Sequence, residues 1–221
     1  MASGESQVVN VDEQQTWPPD LRRLVAEIAK ATPQSPYIGD LQIPDSADDQ
    51  VRAALDGHVL LTYHATRLLD HERQMIKAEG LRLFSESLFE DKIEAAYREG
   101  AVTAEEHDLL KQSHMYATGE AQSRGRREGQ VSLFLGRQTM IDEVSGLQNL
   151  MVMWGGEGIS FSRRHKEVEP LLRRLGTPSI IVAAVPIRPT WRGQLCSPDL
   201  AKIFVGATRG FETTGEILHE S

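Results

Sequence analysis

The chain has 221 residues, 40% hydrophobic and 25% charged, which favours no disordered, fibrous or coiled-coil protein and suits one buried core with a tail. Its single cysteine, Cys196, excludes an internal disulfide and a cysteine-based zinc cluster, and with no secretion leader and no run approaching 18 apolar residues it points to a reducing, cytoplasmic setting without a membrane span. The net charge of −8 is concentrated in residues 1–50, where nine acidic and three basic side chains give −6, so the remaining 23 acidic and 21 basic residues give −2 and no strong duplex-binding excess.

Residues 1–19 read as an acidic flexible leader ending in Trp17-Pro18-Pro19, and 20–221 as a single domain. Asp20 can cap a helix over 21–31, with Leu21, Leu24, Ile28 and Ala29 on one face. Pro33, Pro36, Gly39 and Pro44 make 32–46 a loop, and a short helix over 47–56 follows, capped from Asp45 or Ser46. Val59-Leu60-Leu61-Thr62-Tyr63 is a strand, His64-Ala65-Thr66 a polar turn in which Thr66 can cap, and Leu68 to Ile76 a helix stopping at Gly80, with Leu81-Arg82-Leu83 extended beyond it. From 86 to 117 the pattern gives a helical hairpin: Ile93, Ala96 and Tyr97 mark the first helix, and Thr103 with Glu106 forms a capping box opening the second, whose buried face holds Leu109, Leu110 and Met115. His114 and Tyr116 read as hairpin surface.

Residues 118–129, with three glycines and three arginines, form a loop; Val131 to Leu135 is a strand, and 138–145 a short helix. Leu147 to Trp154 is apolar and stays open between buried strand and buried helix, with Met151, Met153 and Trp154 as packing residues. Gly155-Gly156-Glu157-Gly158 is a turn into extended Ile159-Ser160-Phe161-Ser162, and a helix over 166–175 ends at Gly176. Glu157 between its glycines reads first as turn geometry, with a direct chemical role as the alternative. Ser179 to Val185 is a strand whose unbroken apolarity predicts burial on both faces. Strands at 201–206 and 214–218 complete the series.

Phosphate-loop, dinucleotide-fingerprint, zincin, calcium-loop and serine-elbow motifs are all absent, and Cys196 has no histidine near it in sequence. His64, at the end of an apolar strand, is the candidate reactive side chain; a histidine that satisfies buried backbone is the other reading. The arginines at 124, 126, 127, 163, 164, 173 and 174, with Lys166, either meet a phosphate-bearing ligand or form solvated faces.

Leu60-Leu61-Thr62-Tyr63-His64-Ala65-Thr66, with Ile76, Gly80 and Leu81 after it, resembles the first motif of the ADP-ribosyltransferase superfamily, in which a strand ends in Tyr-His-Gly-Thr and a helix in Ile-x-x-x-Gly-Leu. Trp154 to Ser162 is similar to the Gly-x-Gly-Ile-Tyr-Phe segment of the poly-ADP-ribose polymerase-like branch, with Ser160 where that branch has the tyrosine that stacks on nicotinamide. A late glutamate is the third feature, and Glu216, or alternatively Glu212, takes its place in the order. The resemblance, to that branch or a toxin-like one, implies an α+β domain with a split two-sheet ADP-ribosyltransferase-like core and a helical hairpin insertion at about 86–117. It implies NAD as co-substrate and a transferase that cleaves the nicotinamide–ribose bond and passes ADP-ribose to an unknown acceptor, protein or nucleic acid. His64, Ala65, Thr66, Arg67, Ser160 and Phe161 would then bind NAD, Arg67 and Arg82 would lie nearest the diphosphate, and Glu216 or Glu212 would act with His64 in catalysis. Two rival readings are a non-catalytic nucleotide- or protein-binding module on the same fold, and a phosphotransfer or nuclease-type enzyme using His64 with the arginines.

Overall fold

The computed structural model describes residues 6–35, 40–119, 128–136, 150–156, 165–187, 200–209 and 216–218. They form an α+β fold with a mixed, open sheet. The strands are β1 (Val8–Val9), β2 (Val59–Leu68), β3 (Ser132–Phe134), β4 (Thr177–Pro186) and β5 (Glu216–Leu218). The helices are α1 (Pro19–Ala31), α2 (Ser46–Leu55), α3 (Asp70–Glu79), α4 (Glu86–Arg98), α5 (Ala104–Lys111), α6 (His165–Arg174) and α7 (Leu200–Thr208). The described strands join one five-stranded sheet in the order β1-β2-β3-β5, with β4 also paired to β2; the second sheet that the resemblance implies has no strand among the described residues. β1 runs parallel to β2, whereas β3 is antiparallel to both β2 and β5.

The chain divides into two compact units, one drawn from Met1–His64, Ser132–Glu143 and Val182–His219, the other from Ala65–Val131, Val144–Ile181 and Glu220–Ser221. In the first unit α1, α2 and α7 pack together through Leu21, Val25 and Ile28, Ala47, Val51 and Leu55, and Ile203, Phe204 and Val205, all buried. Side chains of this size each contribute roughly 1.5–3 kcal/mol on burial. Residues 8–17 belong to this core rather than to a flexible leader. Val9, Val11 and Trp17 are buried, the Trp17 ring meets Phe204 edge-on at 4.8 Å, and its indole N–H donates to the Asn10 carbonyl at 2.8 Å. Apolar residues spaced through an acidic stretch are enough to seat it, because Val8 and Val9 extend the sheet alongside Val59 and Leu60.

The strand expected over 201–206 is instead part of the helix α7, Leu200–Thr208. Six of the nine residues are buried, so the segment is apolar on most of its circumference, and apolarity of that kind carries no period from which helix and strand can be told apart. Two polar contacts fix its ends: the Ala201 amide donates to the Asp48 carboxylate at 3.2 Å, and just past the helix the Arg209 guanidinium donates to the carbonyls of Ala29, Thr32 and Pro33 at 2.7, 2.7 and 3.0 Å. Those carbonyls lie at and just past the end of α1, where no further turn donates hydrogen bonds to them. Asp20 lies in the first turn of α1 rather than at its cap, which is Pro18.

In the second unit the predicted hairpin is present as α4 and α5. Thr103 accepts from the Glu106 amide at 3.2 Å and Glu106 accepts from the Thr103 amide at 2.9 Å, the reciprocal capping pair read from the sequence. Phe89, Ile93, Ala96 and Leu110 pack with Trp154 and with Val168, Leu171, Leu172 and Leu175 of α6 and the residue after it. His114 is buried, and Tyr116 is half-buried, rather than on the surface. His114 stacks on Phe89 with ring centroids 6.2 Å apart, and burial pushes the His114 pKa down and the Tyr116 phenol up to about 12.

β4 covers the predicted strand, but its unbroken apolarity does not mean burial on both faces. Ile180 and Val182 are 45% and 58% exposed, and exposure alternates along the strand. Residues 150–152 form one helical turn. The expected helix over 138–145 and the extended Ile159 to Ser162 lie outside the described residues.

Candidate functional site

β2 continues through His64, Ala65 and Thr66 to Leu68. The histidine is therefore within the strand and not in a turn after it, because β3 and β4 pair with β2 and such non-local pairing overrides local polarity. Thr66 is no helix cap, since α3 starts at Asp70 and the residue before it is Leu69. Within the first unit, His64 is half-buried and its Nδ1 lies 2.8 Å from the Ser132 carbonyl oxygen of β3. A carbonyl only accepts, so Nδ1 carries the proton and donates, and Nε2 is the basic nitrogen of the neutral ring.

β5 brings Glu216 to the other side of β3. Tyr63 pairs in register with Phe134, and Phe134 with Glu216, so these three residues form one row across β2, β3 and β5. Two strand spacings of about 4.8 Å separate β2 from β5, or about 10 Å. His64 lies one residue beyond that row. The strip accordingly brings the histidine and the late glutamate to strands flanking β3 but in adjacent rows. Glu212, Ser160, Phe161, Glu157 and Cys196 lie outside the described residues.

In the second unit Ala65 and Thr66 are buried. The Arg67 guanidinium donates to the carbonyls of Leu175, Gly176 and Met151 at 2.8, 2.8 and 3.2 Å. This commits it to holding the segment between α6 and β4, a structural clamp rather than an anion site. Arg82 pairs with Asp91 at 2.7 Å. Of the side chains expected to bind NAD, Arg67, and Arg82 beyond it, are engaged by the protein itself.

Sequence reasoning missed a buried charged group. Glu72 is almost wholly buried; its Oε2 accepts from the Leu69 amide and from the Trp154 indole N–H, both at 2.7 Å, and its Oε1 lies 2.8 Å from the Lys92 ammonium. The same ammonium sits 5.1 Å from the centre of the Trp154 ring. Burial pushes the Glu72 carboxyl up, and the charge and hydrogen bond of Lys92, with the Leu69 and Trp154 bonds, more than offset this and hold it below its ordinary value. A glutamate in the first turn of a helix and a buried tryptophan in need of an acceptor were both visible signals. Every bond of the cluster is internal, which makes it an anchor for residues 150–156 instead of a reaction centre.

Among the described residues no group of three or more His, Cys, Asp or Glu side chains could hold a metal ion, and no helix is long and apolar enough to cross a membrane. No protein-family model, no curated protein and no solved structure matches the chain.

Proposed function

We propose that the chain binds NAD and transfers ADP-ribose to an acceptor, with His64 as the ligand-positioning residue and a late glutamate, Glu216 or Glu212, supporting the sugar cation that forms as the nicotinamide–ribose bond breaks. One observation carries the reading: residues far apart in sequence that match the first and third motifs of the ADP-ribosyltransferase superfamily lie on β2 and β5, the two neighbours of β3. In this reading the His64 side chain, held to Ser132 through Nδ1, positions the ribose of the ligand. The glutamate accepts a hydrogen bond from the 2'-hydroxyl and offsets the positive charge that develops beside it. The acceptor is unknown, protein and nucleic acid both being open, and the setting of this reading is cytoplasmic.

A second reading, a nucleotide- or protein-binding module without turnover, is favoured by the row offset. Glu216 shares its row with Tyr63, not His64. The test is calorimetric titration of the purified chain with NAD, followed by chromatography of the same sample for released nicotinamide. Turnover is expected in the wild type, with His64→Ala losing binding, and one of Glu216→Gln or Glu212→Gln keeping binding and losing turnover by at least about a hundredfold. Binding with no nicotinamide release in any sample would move the assignment to the binding module, and absence of NAD binding would refute the transferase reading.

A further inference from the structure

β4 has a second edge. The Ile187 amide donates to the His58 carbonyl at 2.9 Å and the Ile187 carbonyl accepts from the Gly57 amide at 3.3 Å, and the Thr62 hydroxyl donates to the Ala183 carbonyl at 3.0 Å. The partners move in opposite directions along the chain, so β4 runs antiparallel to β2, and Ile187 and Ala183 turn their backbone groups towards it. Backbone direction alternates along a strand, and residues 178, 180, 182, 184 and 186 therefore direct theirs to the opposite edge, with which no strand pairs among the described residues. Pro178 and Pro186 have no N–H to offer there. The open edge thus presents the amides of Ile180, Val182 and Ala184, bounded by a proline on each side.

That pattern is symmetric about Val182. We propose that this edge pairs with the same edge of a second copy of the chain, antiparallel about a two-fold axis at Val182. In this register Ile180 faces Ala184 of the second copy, Val182 faces Val182, and each facing pair exchanges two hydrogen bonds. Pro178 falls opposite Pro186, so no amide is left facing a proline. Charge favours the same partner: Thr177–Pro186 contains no ionisable residue, and the edge-blunting residues it does carry, Pro178 and Pro186, fall opposite each other in this register. The face presented by the same residues is apolar and exposed, at 45% for Ile180 and 58% for Val182, and joining two copies places these side chains side by side. A contact of one short strand per copy covers on the order of 1,000 Å² or less, the size of a weak, reversible interface and below that of an obligate dimer.

The test is sedimentation velocity of the full chain over a concentration series, with Val182→Lys and Val182→Glu run alone and as an equimolar mixture. The wild type is expected to show a concentration-dependent monomer–dimer equilibrium. Each variant alone sets like charges face to face on the axis and should weaken dimerisation at least about tenfold, whereas the mixture sets lysine against glutamate and should restore it. Val182 is exposed, and recovery in the mixture would itself show that both variants are folded. A wild type that stays monomeric, variants that associate as the wild type does, or a mixture that fails to recover would each overturn the proposal; capture of a foreign apolar strand by a monomeric wild type would assign the edge to a different partner.

Discussion

Replacing Glu72 by alanine would test whether the buried charge holds the second unit together. The change leaves the Leu69 amide and the Trp154 indole N–H without the acceptor they meet at 2.7 Å, and it leaves the Lys92 ammonium, paired at 2.8 Å, without its counter-charge. Breaking one side of a buried pair costs about 3–5 kcal/mol, a large part of the 5–15 kcal/mol that typically separates folded from unfolded chains. Glu72→Gln keeps an acceptor for both N–H groups and loses only the charge, so about 1–3 kcal/mol is expected. Lys92→Met removes the other charge but leaves the carboxylate with two donors, and should fall between them. Urea unfolding followed by far-UV circular dichroism at pH 7 measures all three. A loss below about 1 kcal/mol for Glu72→Ala, or equal losses for alanine and glutamine, would refute the account. The pH dependence has a definite sign: the folded carboxyl titrates below the ordinary value of about 4.3. Its contribution is complete above that value and lost as pH falls through the depressed folded one, and Glu72→Gln should flatten the acid limb.

Three further outcomes follow from contacts elsewhere. Arg67→Lys keeps the charge but loses the planar fork that reaches three carbonyls, and unfolding should become easier by about 1–3 kcal/mol in the same urea assay. Gly176 has φ +63°, and a Cβ there would lie 2.9 Å from the Leu68 backbone carbonyl carbon; Gly176→Ala should cost about 2–4 kcal/mol through left-handed strain and displaced backbone, read as a lowered urea midpoint. For His114, burial disfavours the imidazolium, with Glu86 and Glu90 opposing this and Lys111 adding to it. The unfolded chain therefore takes up a proton first, and stability should decline as pH falls from about 6.5 to the lowered folded value and then level off. Comparing unfolding midpoints at several pH values in wild type and His114→Gln isolates this term.

Most helices were legible because their signals are local. The capping pair Thr103–Glu106 and the face of Ile93 and Ala96 placed the hairpin, and Leu21 and Ile28 placed α1. What escaped depended on distant partners. His64 to Leu68 looks polar and turn-like until β4 is laid beside β2, and residues 201–206 look like a strand until α1 and α2 are packed around them. His114 reads as surface until Phe89 lies against it. For the candidate site, the sequence singled out His64 and Glu216, but their one-row offset is a property of strand register, which no single strand's residues specify. Glu72 and Trp154 each carried a local signal, but their pairing, with Lys92 beside them, depends on residues distant in the chain.

The Arg209 contact sets an order of events during synthesis. Its guanidinium holds the final carbonyls of α1, and Trp17 rests against Phe204. A growing chain translated from its N-terminus therefore makes α1 early and completes its packing only after residue 209 has left the ribosome, so the first unit has high contact order and should fold slowly. Until then Leu21, Val25 and Ile28 lack the α7 surface that covers them, and the nascent chain carries an apolar helix face of the kind chaperones bind.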